Sequence, residues 1–124
     1  MPELITGWKL PAEERDRLLA RFPPRYICLV ADHVTLRFGT DDETPLPTQR
    51  TALVVGEADD GRGVQALVVE IAGTTHRGDG SHFHITWTLA QGRVARESNE
   101  LLKAGWLEMH PPIAIDVYPA RWNR

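Results

Sequence analysis

From Ser81 to Leu89 the chain alternates strictly, with Phe83, Ile85, Trp87 and Leu89 on one side and His82, His84, Thr86 and Thr88 on the other. A period of two marks a half-buried β-strand. The arrangement recurs 51 residues earlier in H-V-T-L-R-F, where His33, Thr35 and Arg37 alternate with Val34, Leu36 and Phe38. The apolar face of each strand is assigned to the core. The other face carries a His-x-Thr pair, where a merely soluble surface would take Lys or Glu.

The remaining pattern supplies the frame. Met1 to Leu10 is too short to classify, and Trp8 within it caps a hydrophobic edge more readily than it lies on a ligand. Pro11 opens a helix, Glu13 and Glu14 suit its positive end, Leu18, Leu19 and Phe22 form its apolar stripe, and Pro23-Pro24 stops it. Tyr26 to Val30 reads as a buried strand or extended lead-in to the first motif, and the acidic, proline-bearing Thr40 to Thr48 as a surface loop. T-A-L-V-V-G-E-A and V-Q-A-L-V-V-E-I-A, joined by D-D-G-R-G, predict a hairpin whose second strand is central. A Gly-rich loop then leads into the second motif strand. A helix follows from about Ala95 to Ala104 with Leu101 and Leu102 inward, Gly105 ends it, and P-P-I-A-I-D-V-Y forms a last strand before an A-R-W-N-R tail. The expected class is α+β with a largely antiparallel sheet.

A length of 124 residues fits one domain, 1-124, with a modest core. Net charge is −3, so no global basic field would hold a long nucleic acid. Twelve of the 14 basic residues are Arg, which suits a local phosphate grip. The single cysteine, Cys28, lies in the apolar run I-C-L-V and is read as a buried structural thiol in a reducing compartment. No stretch is apolar enough to span a membrane, and a cytoplasmic protein is expected.

On a strand, residues i and i+2 point the same way, roughly 6 to 7 Å apart. Each motif therefore presents an imidazole beside a hydroxyl. Two such strands side by side would supply a general acid, a general base and two hydroxyl donors for phosphate oxygens, with no metal required. An unperturbed imidazole titrates near ~6.5, so a bell-shaped rate profile near neutral pH is expected.

HVTLRF and HITWTL resemble the paired H-x-T-x motifs of the two-histidine (2H) phosphoesterase superfamily, which includes bacterial LigT-like RNA cyclic phosphodiesterases. The stretch HITWTLAQGRVARESNELLKAG brings the resemblance closer to the cyclic phosphodiesterase domain of plant and fungal tRNA ligases, over about Tyr26 to Tyr118. The resemblance implies a pseudo-two-fold fold with largely antiparallel sheets, two helices on the outer face and both motif strands lining one cleft. It also implies hydrolysis, without cofactor, of a 2′,3′-cyclic phosphate at an RNA end or in a small cyclic nucleotide. By that analogy His84 activates water, His33 protonates the departing ribose oxygen, and Thr35 and Thr86 hold the phosphate, with the acid and base exchangeable. The 124 residues are fewer than in typical members and match no ligase or kinase part of the tRNA-ligase version, so activity as a ligase is not expected.

Six further residues are candidates for substrate or phosphate contact. Arg37 shares the motif face with His33, Arg77 lies in the loop before the second motif, and His82 shares a face with His84. Tyr26 would stack a base, as would Trp106, whereas Trp87 belongs to the core pattern. Ser98 falls at the start of the second helix, where capping is the commonest use of serine. His76 and His110 are assigned to loops. Two other functions compete: a non-catalytic module holding a nucleotide or RNA end in the same cleft, and a metal-dependent hydrolase built on His33, His82 and His84.

Overall fold

The computed structural model describes residues 3–123. In chain order the elements are β1 (Leu4–Lys9), α1 (Ala12–Arg21), β2 (Cys28–Leu29), β3 (His33–Thr40), β4 (Thr51–Asp59), β5 (Val64–Glu70), β6 (His84–Leu89), α2 (Glu97–Lys103), β7 (Leu107–Asp116) and β8 (Tyr118–Asn123). They form two sheets, one ordered β3-β1-β8 and one ordered β2-β6-β5-β4-β7, and every neighbouring pair is antiparallel. This is the α+β class with antiparallel sheets that the hydrophobic pattern predicts. The opening segment and the C-terminal tail prove to be strands, paired with each other from Leu4↔Asn123 to Lys9↔Tyr118.

The central strands β4 and β5 are apolar on both sides because both sides are covered. Val54, Leu67 and Val69 join Trp8, Val34, Ile85, Trp87, Leu18 of α1 and Phe22 just after it in the main core. Val55 and Val68 face the other way, against Leu102 of α2. The two helices therefore do not share one outer face of the five-stranded sheet. Trp8 is buried at 2% exposure, its ring edge-on to Phe83 and its Nε1–H donated to Gln49 O at 3.0 Å, so it is a core residue and not a ligand platform.

Cys28 corrects the expectation of a buried thiol. It is exposed on the short edge strand β2, beside Ile27 at 85% exposure. Among the described residues the strand lies at the edge of its sheet and pairs with β6 alone. His110 likewise lies on β7 and not in a loop.

Alternation in β3 breaks where a bulge intervenes. Gly7 pairs with Thr35, but Thr6 pairs with Arg37, leaving Leu36 extra. A Cβ on Gly7 would stand 2.2 Å from Val34 O, so only glycine permits this approach. Beyond the bulge the phase inverts: Arg37 shares its register with buried Thr6, and Phe38 takes the side of His33 and Thr35.

Candidate active site

One turn brings the two His-x-Thr segments together. The backbone N–H groups of Val30 and Ala31 donate to Trp87 O and Thr86 O, each at 3.0 Å, so the chain runs alongside β6 as if part of its sheet. Ala31 then adopts φ 42°, and the next carbonyl, that of Asp32, accepts from the N–H of Leu10, the residue after β1 of the other sheet. His33 follows at once. The first motif thus begins two residues after a direct bond to the second.

The result is a cleft of about 320 Å³ between the sheets, lined by His33 and Thr35 from β3, His84 and Thr86 from β6, and Arg77 from the intervening loop. Residues 95, 96 and 99, at and within the start of α2, close one side. Ile5, Phe38 and Trp122 form apolar wall.

The two imidazoles are held differently. His84 Nδ1 lies 2.8 Å from the carbonyl oxygen of His82. A carbonyl only accepts, so Nδ1 carries the proton and Nε2 of the neutral ring is left with its lone pair. Burial pushes the His84 pKa down to about 4, against the opposing effect of that carbonyl, and charge on Arg77 and His33 adds to the depression. His33 Nδ1 instead lies 3.1 Å from Asp32 Oδ2, and its ring packs 4.8 Å from Trp122. Lys9 Nζ stands 3.3 Å from the same carboxylate oxygen and 5.2 Å over the Trp122 ring. Burial works against ionisation of Asp32, but hydrogen bonds from His33 and Lys9 outweigh it and hold its pKa below the ordinary range.

The hydroxyls differ too. The Thr35 hydroxyl makes no side-chain hydrogen bond to the described residues, which leaves its O–H for a ligand. Thr86 Oγ1 is 2.9 Å from the Oγ of fully buried Ser98. With Ser98 donating, Thr86 keeps its own proton to offer to the cleft, with only a long 3.4 Å contact to Ala95 O competing. Arg77 is braced by Asp79 at 3.1 Å, Ser81 Oγ at 2.6 Å and Asn99 Oδ1 at 3.3 Å, and lies 5.5 Å over the Phe38 ring. Asp79 holds its charge firmly: burial raises its pKa, but bonds from Ser81 and Arg77 bring it down to about 2.

Of the sequence candidates, His33, Thr35, His84, Thr86 and Arg77 meet in this cleft, and five others do not line it. Arg37 is turned away by the bulge at Leu36. His82 precedes the start of β6, so strand alternation does not carry it to the His84 face. Its ring lies against His76 and Trp106, and its carbonyl serves the site. Tyr26 hydrogen-bonds Asp59 Oδ1 at 2.6 Å, at the far end of the β4–β5 hairpin. Ser98 neither caps α2 nor reaches the cleft; it lies behind Thr86. The ligand set His33, His82 and His84 is not assembled, and no cluster of three or more His, Cys, Asp or Glu exists among the described residues. Trp106 sits over Gly56, where a Cβ would stand 2.3 Å from its ring, outside the cleft.

Sequence reasoning missed Trp122, Asp32, Arg96 and Asn99. Asp32 carried a signal, standing directly before a motif histidine. Trp122 carried none, because its strand exists only through pairing with β1 at the other end of the chain.

Comparison of the chain with family models, curated proteins and solved structures finds no match.

Proposed function

We propose that the cleft is the active site of a metal-independent phosphodiesterase of the two-histidine kind, opening a 2′,3′-cyclic phosphate at an RNA end or in a small cyclic nucleotide. The observation that carries this reading is the convergence of two His-x-Thr pairs, 51 residues apart in sequence, on one cleft with an arginine beside them. Two sheets meeting at that cleft, each contributing one motif strand, are in keeping with a pseudo-two-fold phosphoesterase architecture.

Each residue has a role its surroundings suit. His84, neutral with Nε2 bare, takes a proton from the attacking water as its oxygen bonds to phosphorus. His33, its Nδ1–H on Asp32, gives the Nε2 proton to the ribose oxygen as the P–O bond breaks, and the carboxylate supplies the countercharge of the imidazolium. Thr35, Thr86 and Arg77 meet the charge on the non-bridging oxygens. A volume of about 320 Å³ suits one nucleotide better than an extended strand, as does a net charge of −3. No helix among the described residues is long and apolar enough to cross a membrane, and we take the cytoplasm as the working compartment.

The test is turnover of 2′,3′-cyclic nucleotides with and without EDTA. Hydrolysis that survives the chelator is expected. Binding without turnover would replace the enzyme by a nucleotide-holding module, and loss of activity with EDTA would overturn the metal-independent step.

A further inference from the structure

Outside the cleft, the loop that carries Arg77 holds two more histidines side by side. The N–H of Arg77 donates to Ser81 O at 2.9 Å, and that of Phe83 donates to Thr75 O at 2.7 Å. These bonds bracket the antiparallel bridge His76↔His82 and make it a non-hydrogen-bonded pair. In that register Cα atoms lie roughly 4.5 Å apart and both side chains stand on the same face. The imidazole centroids are 5.1 Å apart, with the planes inclined by 40°.

Two imidazoles in this position repel when charged, and His76 adds to the effect of burial in resisting protonation of His82. A shared cation turns the same geometry into an attraction. Nitrogens each ~2.0 to 2.1 Å from one tetrahedral ion stand roughly 3.4 Å apart, a separation that rotation of the exposed His76 ring about its own χ2 would supply. Thr75 Oγ1, 3.1 Å from His82 Nδ1, completes the picture. In the tautomer with the proton on Nδ1 the hydroxyl accepts it, Nε2 is bare and the ring is held, as the outer partners of metal-bound histidines hold theirs.

We propose that His76 and His82 form a two-histidine site on this hairpin for a single borderline transition cation of the Zn²⁺ class, with water filling the remaining positions. Imidazole ligands select such ions over Mg²⁺ and Ca²⁺, which take oxygen. No third His, Cys, Asp or Glu joins the pair among the described residues, so the ion is exchangeable and not a structural core. The site is distinct from the cleft, which neither ring lines. The two are nonetheless adjacent in the chain: Arg77 follows His76, and the His82 carbonyl holds His84.

Calorimetric titration of EDTA-treated, desalted protein with ZnCl₂, without substrate, tests the proposal independently of turnover. One equivalent is expected to bind. His76→Ala, at an exposed position, should weaken binding at least tenfold, and His82→Ala should do the same. His110→Ala, exposed on β7 and 4.0 Å from Glu108, should bind as wild type does. No binding by the wild type, or unchanged binding by His76→Ala, overturns the site.

Discussion

Ala31 donates its backbone N–H to the carbonyl oxygen of Thr86 at 3.0 Å, joining the segment before the first motif to the middle of the second. The residue is fully buried and holds φ 42°, a left-handed conformation that a β-branched side chain resists. Ala31→Val should therefore cost about 2 to 4 kcal/mol from strain and overpacking combined. Denaturant unfolding checks the loss. Because the turn sets the distance between the motifs, turnover of the folded fraction should also drop, and a stable variant of wild-type activity would show that the turn does not position them.

The proton-transfer pair carries the sharpest expectation. His33→Ala and His84→Ala should each lower turnover at least about 10²-fold, the usual scale for a positioned acid or base. Thr35→Val and Thr86→Val should cost somewhat less, since each removes one donor and Arg77 remains. Wild-type hydrolysis by either histidine variant would refute the mechanism.

How much of this was legible in the sequence follows the range of the forces involved. The two motif strands, the β4–β5 hairpin and both helices are written in local periodicity, and the His-x-Thr pairs could be found because i and i+2 share a face without reference to the rest of the fold. Strands β1 and β8 could not be found that way. Each is short, and they pair with one another from opposite ends of the chain. Arg37 and Phe38 exchanged sides because a bulge at Leu36, permitted by Gly7 on the neighbouring strand, is invisible to a two-residue repeat. Ser98 appeared to be a cap because its true partner, Thr86, is a tertiary contact.

The pH profile should be asymmetric. The base proposed at His84 works only when neutral, and with its pKa lowered to about 4 the ring remains neutral through neutral and mildly acidic solution. The acid limb of kcat/KM should thus fall near pH 4 and not at the ordinary histidine value of ~6.5. Arg77→Gln removes a nearby cation, so the limb should move upward in pH. A wild-type limb at 6.5 would mean that the ring is solvated.

The same depression links to stability. An unfolded His84 takes up a proton below ~6.5, whereas the folded ring resists it until about 4, so stability is full above the upper value and is lost as pH falls through this window. The loss attributable to this residue is at most roughly 3 kcal/mol. His84→Asn keeps an N–H for the His82 carbonyl and removes the titration. Its unfolding free energy should decline less steeply from pH 6.5 to 4 than that of wild type, and parallel curves would remove His84 as the cause.

Ser98 separates positioning from chemistry. Its Oγ is buried and 2.9 Å from Thr86 Oγ1, but it does not line the cleft. Ser98→Ala leaves the threonine hydroxyl to turn toward Ala95 O, 3.4 Å away. Losing a buried partner should cost about 1 to 3 kcal/mol of stability. The reoriented Thr86 should also lower kcat more than it raises KM, because the phosphate gains most charge at the transition state. Ser98→Thr retains the hydroxyl and should restore kcat where the added methyl is accommodated; Ser98→Cys, a closer match in volume but a weak donor, should not. If alanine changes stability alone and leaves both kinetic constants untouched, Ser98 serves packing only, and Thr86 is aimed by the strand itself.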